Sequence, residues 1–472
     1  MWPFGKRKSK ASSARNILPG VIRAKYDAAQ TTFENRRHWF NADNLSADQA
    51  NSLEVRSTLR SRARYEIANN SYAKGIVTTL ANDCIGTGSK LQVLTEDVKL
   101  NRQIEQAFSR WSKLISLPQK LRTMRMAKAS DGEAFGILTR NPMMGFPIEL
   151  DLKLIEADRV SKPICDFTKP ENEVDGIKFD RWSNPVSYTI LRYHPGDCSS
   201  FKTEFDIADA KSVIHYFRVD RPGQHRGVPE ITSAIALFAQ LRRYTLAVLA
   251  AAETAADFAA VLYTDSPANG EASSIAPMDL VALEKRMATT LPDGWKLGQL
   301  KAEQPSTSYS EFKREILNEI ARCLNIPYNI AACNSSGYNY ASGRLDHQTY
   351  YKSIRVEQSQ IASVVLDKIF SAWINEAMLT SEFSALRNLN NISQQWFFDG
   401  TEHVDPVKEA KAQAVRLKSN TTTLAAEFAK QGKDWETELH QRSKETKLLK
   451  QLNLIESNQS ENKSTPEKSY EN

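Results

Sequence analysis

The residues best equipped for contact chemistry lie together in one run. Positions 334–344 read Asn-Ser-Ser-Gly-Tyr-Asn-Tyr-Ala-Ser-Gly-Arg, with no charge before Arg344. Asn334, Ser335, Ser336, Tyr338, Asn339, Tyr340 and Ser342 offer hydroxyl and carboxamide groups, which make neutral, exchangeable hydrogen bonds. Asn and Gly also tolerate left-handed backbone. The run reads as an exposed, adaptable loop between two helical patterns, a usual place for function, although an ordinary helix connector has a similar composition.

Catalytic constellations are scarce. Ser71-Tyr-Ala-Lys74 would set a hydroxyl one helical turn from an amine, but no Lys-Thr-Gly accompanies it. Asp131 and Glu133 could lend two carboxylates to a metal, yet nothing nearby completes a nuclease set, and helix ends and turns use the same residues. There is no Gly-x-x-x-x-Gly-Lys-Ser/Thr phosphate loop, no His-Glu-x-x-His and no Gly-x-Ser-x-Gly. Ile85-Gly-Thr-Gly-Ser-Lys90 fails as a dinucleotide site, because it follows a helical pattern and Leu91 stands where the third glycine belongs. Cys84, Cys165, Cys198, Cys323 and Cys333 are scattered, as are the seven histidines, so reduced thiols in a cytoplasmic setting are expected. His215 and His225 read as structural, and His347 as a packing or hydrogen-bonding residue. No catalytic residue, metal or cofactor is expected.

The 472 residues suffice for two to four domains with a proper core. Net charge is +6, which permits contact with a polyanion without requiring it. Lys6, Arg7, Lys8, Lys10, Arg15, Arg23 and Lys25 precede the first acid, Asp27, so residues 1–27 form a basic, flexible arm. Its only apolar stretch, Ile17 to Ile22, is broken by Pro19 and Gly20 and fails as a signal peptide. No uncharged apolar span reaches the roughly 18 residues of a membrane helix. A soluble protein is expected.

Periodicity places a helical pattern over 48–85, through Leu53, Val55, Leu59, Tyr65, Ile67, Ala68, Ile76, Val77 and Leu80, with Gly86 as its stop. A helix follows at 98–114, then strands at 134–138, 148–155, 176–179, 187–192 and 213–217. The turn at 221–229 leads into a long helix at 230–258, striped by Ile231, Ile235, Phe238, Leu241, Val248 and Leu249, with Arg242 and Arg243 facing elsewhere. Its second half is rich in alanine, which suits close helix packing. A compact interlude at 259–305 carries a strand at 260–263, a helix at 278–290 and a strand at 295–300. Helices follow at 308–324, 344–379, 406–420, 424–430 and 434–449, and residues 456–472 lack any apolar face. The class is α+β, mainly helical.

Several short motifs recur in a set order: Arg62-x-Arg64 with Asn69-Asn70 and Tyr72; Ile85-Gly86-x-Gly88; Asp131-Gly132-Glu133; Arg226-Gly227-Val228-Pro229; Tyr340-Ala-Ser-x-Arg344; Trp396; Asp405-Pro406-x-Lys408-Glu409-Ala410; and Gly432-Lys-Asp434. Their order over about 20–455 resembles tailed-bacteriophage portal proteins of the lambda family. The resemblance implies a portal-like fold and a non-enzymatic ring, typically of twelve subunits, at one capsid vertex of the virion. Such a ring is assembled in the bacterial host cytoplasm and passes double-stranded DNA during packaging and ejection. It implies a wing at 28–227, stem helices at 228–258 and 306–325, a small α/β clip at 259–305 and a tunnel loop at 326–343. A long wing helix would cover 344–395, a helical crown 396–455 and a disordered tail 456–472. Implied partners are the terminase large subunit, head-completion proteins, major capsid and scaffold proteins, and DNA without sequence preference; no membrane is implied. A channel for moving DNA must avoid tight phosphate capture, since each Lys or Arg contact adds salt-dependent affinity. A neutral loop whose one charge is Arg344 fits that need. The alternative class is a nucleic-acid enzyme of the packaging machinery, a nuclease or terminase subunit, against which the missing phosphate loop and acidic cluster argue.

Overall fold

The computed structural model describes residues 33, 36–162, 172–197, 204–257, 261–264, 295–298, 308–383, 392–400, 406–452 and 454. The predicted helical pattern over 48–85 is three helices, α1 (Ala47–Ala50), α2 (Leu53–Asn69) and α3 (Ser71–Ile85). The break between α2 and α3 falls at Asn70, whose side chain accepts from the N–H groups of Tyr72 and Ala73 and so caps α3. Gly86 ends α3 with φ +58, and Asp399 accepts from the Thr87 N–H and hydroxyl just beyond.

The expected polarity of α2 is reversed. Its core-facing residues are Arg56, Arg60, Ala63 and Glu66, while Leu53, Val55 and Tyr65 are exposed. These buried charges recur at helical spacing, so α2 is amphipathic in a sense that an apolar count does not see.

β1 (Lys90–Val93) precedes α4 (Val98–Leu114), which has the predicted bounds. Asp97 caps α4, and Ile104, Ala107, Phe108 and Trp111 are buried. α5 (Leu117–Asp131) was not anticipated, because its buried face includes Arg125, Lys128 and Asp131 beside Leu121 and Met124. Next come β2 (Glu133–Arg140), β3 (Leu150–Ile155), β4 (Glu173–Val174), β5 (Ile177–Phe179), β6 (Pro185–Leu191), β7 (Phe205–Asp209) and β8 (Val213–Phe217). They form two antiparallel sheets, β3-β2-β8 and β4-β5-β6-β7, with β4 and β7 the strands that periodicity did not flag.

A short 3-10 turn at Thr232–Ala234 opens into α6 (Ile235–Asp257). The span Thr232–Glu253 is long and apolar enough to cross a membrane by length and composition, which qualifies the expectation that none would be. Its first half packs in a core, through Ile231, Ala234, Phe238 and Leu241, and Arg242-Arg243 interrupts it. β9 (Val261–Thr264) and β10 (Trp295–Gly298) pair antiparallel; the helix expected at 278–290 lies outside the described residues. α7 (Ser308–Cys323) runs back along α6: Ser233 meets Cys323 at one end, and Tyr244 meets Tyr309 and Phe312 further along.

Residues 326–343 are not one open loop. They contain α8 (Tyr328–Ala331), and α9 (Tyr340–Ile361) begins four residues before the expected Arg344. The long helix is also interrupted, since α9 passes through a π-turn at Ala362–Leu366 into α10 (Asp367–Ala377). β11 (Gln394–Phe397) then pairs with β1, so Trp396 joins the N-terminal part of the chain rather than the C-terminal helices. Last are α11 (Pro406–Lys418), α12 (Leu424–Lys430) and α13 (Trp435–Gln451), starting with Pro406 at the first helical position.

Three cores hold these elements. One gathers α4, α5, β2, β3 and α10 around Trp111, Phe108, Phe370 and Trp373; Phe108 meets the other three edge-on or tilted, and Phe370 stacks on Trp373. A second packs α2 and α3 against the roots of α6 and α7 and the middle of α9. A third lies between the two larger sheets, around Phe135, Val160, Ile177 and Tyr188.

Candidate functional site

Where the second and third cores meet, charge replaces apolar packing. α2 presents Arg56, Arg60 and Arg64 at four-residue spacing, which puts all three on one helix face. Opposite them, Asp131-Gly132-Glu133 joins α5 to β2, and Arg226-Gly227 approaches from the turn before α6. Glu133 is fully buried and accepts from Arg60 Nη2, Arg226 Nε (3.0 Å) and Nη2 (2.7 Å), His215 Nε2 (2.9 Å) and the Gly227 N–H (3.1 Å). Arg64 bridges Asp131 (2.7 Å) and Asp158 (2.6 Å). Arg226 also reaches Asp175 (2.9 Å), which Arg56 contacts as well. Four guanidinium groups (Arg56, Arg60, Arg64, Arg226) thus face four carboxylates (Asp131, Glu133, Asp158, Asp175), and the charge closes.

Electrostatics follow from that enclosure. Burial by itself would raise the Glu133 carboxyl, but Arg226, the His215 bond and Arg60 outweigh it and hold it well below the usual range. Burial lowers His215, against the pull of Glu133, so the ring is neutral and stacks on Phe135 at 4.3 Å. Arg56 is pulled down to about 10 by burial and by the neighbouring Arg226. The backbones must touch for this to work. A Cβ on Gly132 would lie 2.4 Å from the Val228 carbonyl carbon, and one on Gly227 would lie 2.1 Å from the Gly132 oxygen. Only glycine fits at either crossing.

A second charged cluster adjoins the first. Arg125 of α5 pairs with Glu230 (2.8 Å) at the root of α6, and Lys128 with Glu357 (2.5 Å) and Gln360 (2.9 Å) on α9. Tyr216 of β8 donates to Glu357, and Gln360 donates to the Phe217 carbonyl (2.9 Å). Burial raises Glu230, but Arg125 and Lys128 more than offset it and its carboxyl lies below the usual range. Together the clusters fasten α2, α5, β2 and β8 to the root of α6 and the C-terminal end of α9.

Reading Asp131 and Glu133 as ordinary ends of a helix and turn missed this joint. The available signal was the arginine spacing on α2 beside two glycine-flanked charged motifs. The joint uses Arg60 and Arg64 of the arginine-rich stretch, whereas Arg62 is exposed. Both acids are committed to guanidinium groups. His225 bonds Asp48 (2.7 Å) and His347 bonds Asn329 (2.9 Å), each a structural contact.

The polar run sits beyond the α7 end of this joint. The Asn334 carboxamide accepts from the Ser336 N–H (2.9 Å), and Tyr338 N–H donates to Ser335 O (3.2 Å) around Gly337 at φ +83. Asn339 caps α9: its carboxamide accepts from Ser342 N–H (2.8 Å), and the Ser342 hydroxyl accepts from the Asn339 N–H (3.3 Å). Ser335 and Ser336 are exposed, Tyr338 is half-buried, and partial burial raises its phenol. Tyr340 is the first residue of α9 and Arg344 lies exposed one turn on. Arg242 and Arg243, expected in a stem, are not equivalent. Arg242 binds Glu66 (2.9 Å) and lies over the Tyr65 ring on α2, away from the loop residues, while Arg243 is exposed.

This chain balances its buried acids with arginines, and the one charge of its polar run is Arg344. It belongs to the phage portal protein, lambda family, whose profile matches residues 33–358. A "Probable portal protein" of Halomonas phage phiHAP-1 is 26% identical over 484 residues, covering 95% of this chain and 91% of that protein. Among solved structures, a chain from the neck of a native gene transfer agent particle with C12 symmetry is 12% identical, with 79% of this chain and 92% of that one covered and a TM-score of 0.48. A HK97 family phage portal protein from Corynebacterium diphtheriae is 11% identical, with 76% and 97% covered and a TM-score of 0.27.

Proposed function

We propose that this portal-family chain works as one stave of a closed ring at a capsid vertex, twelve subunits being the expected number, through which double-stranded DNA enters and leaves. α6 and α7 would be the stem, 259–305 the clip that docks the terminase motor and later the head-completion proteins, and 334–344 the channel-facing loop. The C-terminal helices would form the crown. The supporting observation is the paired helices α6 and α7. Beyond their packed roots they expose Leu246, Leu249 and Phe312, an apolar surface that neighbours in a ring would cover. The neutral loop suits a sliding duplex, because it offers hydrogen bonds without phosphate capture.

Native mass measurement with negative-stain imaging tests the ring: closed rings of one subunit number are expected, and a monomer at high concentration overturns it. Tyr338→Asp with Tyr340→Asp is expected to leave rings intact and reduce DNA retention; normally filled particles would remove the loop from the channel. Deleting 270–276 is expected to spare the ring and weaken motor docking, and unchanged docking would reassign the clip.

A further inference from the structure

The exposed side of α9 carries charge of one sign. Arg344, Lys352 and Arg355 are all exposed. At about 3.6 residues per turn they fall within an arc of about 80° on the helix. Gln348 and Ser359, also exposed, lie in the same arc. The two acids of α9 take no part. Asp346 and Glu357 are partly buried on its other side, and Glu357 pairs with Lys128 (2.5 Å). None of the three cations has an ion-pair partner among the described residues. A helix face that is merely solvated commonly interleaves the two signs. α13 does so, with Glu445 among Arg442, Lys444 and Lys447, all of them exposed.

The three cations continue the polar run. Arg344 is its last residue, and at about 1.5 Å per residue Arg355 stands about 16 Å further along α9. A DNA duplex presents one phosphate about every 3.4 Å along each strand, so a row of that length faces several phosphates at once. A row of cations without acids suits such a repeating polyanion. Solvated contacts to identical phosphates attract a duplex without fixing its register, so the DNA can still slide.

We propose that Arg344, Lys352 and Arg355 contact the phosphate backbone of double-stranded DNA, with Gln348 and Ser359 adding neutral hydrogen bonds along the same face. This rests on the ring reading above and deepens it. The neutral loop lets the duplex pass, and the row behind it supplies the attraction that keeps DNA in the channel.

The test uses assembled rings of the full-length protein and a fluorescein-labelled linear duplex, with Kd read by anisotropy from about 50 to 200 mM NaCl. In Lys352→Gln with Arg355→Gln, the slope of log Kd against log salt should fall by about 2 or more, and affinity at about 100 mM salt should drop about tenfold or more. Lys178→Gln with Arg181→Gln removes two cations that are equally exposed on the β5-β6 hairpin, and it should leave the slope unchanged. Negative-stain images accompany each measurement. An unchanged slope in intact α9-variant rings overturns the proposal and leaves the ring reading standing, and an equal fall in the hairpin variant does the same. An α9 variant that no longer closes into rings assigns the row to a contact between copies and overturns it too. A wild-type chain that forms no ring refutes the ring reading, and the proposal falls with it.

Discussion

Glu133→Gln is the sharpest test of the charged joint. The substitution keeps the side chain's shape and removes one negative charge from a position that no solvent reaches. Five donor groups aim at that carboxylate, and the new amide would turn an NH2 toward some of them. Arg60 and Arg226, both 0–2% exposed at the side chain, would lose their shared counter-charge. Removing one partner of a buried ion pair costs about 3–5 kcal/mol. At the unfolding midpoint of a chain of 472 residues, with about 2.1 cal/mol/K of unfolding entropy per residue, a loss near 4 kcal/mol lowers Tm by about 4 °C. Differential scanning calorimetry at pH 7 measures it, with Asp206→Asn as control, since Asp206 and Arg192 form an exposed pair and no measurable change is expected there. Replacing both partners, Glu133→Leu with Arg226→Met, should cost less than the sum of the two single changes, because neither leaves the other stranded. A Glu133→Gln protein that melts with the wild type, or a double variant that is strictly additive, would refute the claim that this cluster joins the sheets to the long helices.

Acid should loosen the same joint. His215 has its folded-state pKa below the ordinary 6.5, so its contribution is present above that pH and is lost as pH falls and the unfolded chain takes up a proton. Stability should therefore decline from pH 7 to 5, and the decline should flatten in His215→Gln; an unchanged slope refutes the assignment. Glu105 has the opposite sign: burial raises it to about 6, although the Val93 N–H bond opposes this. Its charge is a cost above that pH, and Glu105→Gln, which keeps the acceptor for Val93, should stabilise the fold at pH 8 by about 1 kcal/mol after allowing for partial solvent exposure. The gain should shrink as pH falls through 6 and vanish below 4.5, as urea midpoints at pH 8 and pH 4 will show. Asn339→Ala removes the α9 cap and should cost about 1 kcal/mol locally, read as faster hydrogen exchange at 341–344 with no change in the core; protected amides there would contradict the capping geometry.

Where apolar residues face inward, their order alone located the element. α4 is the clearest case: Ile104, Ala107, Phe108 and Trp111 announce the helix and its buried side, and Asp97 marks its start. The five strands read from β-branched runs, the helical hairpin of α6 and α7, and the family itself were equally legible, the last through short motifs in a fixed order. Periodicity failed where the inward face is charged. α5 was invisible because Arg125, Lys128 and Asp131 occupy core positions, and α2 was read with the wrong side inward because Arg56, Arg60 and Glu66 do the same. A charged side chain becomes a core residue only when a counter-charge distant in sequence reaches it, and nothing local to Arg60 reveals Glu133 or, still further along the chain, Arg226. The same limit applies to the polar run, whose composition disclosed a loop but not that Asn339 and Ser342 close it into the first turn of α9. The sequence by itself determined the helices and strands whose inward face is apolar, through local burial and capping. The tertiary structure decided which charges are neutralised, because pairing in a low-dielectric interior depends on distance across the fold and not on separation along the chain.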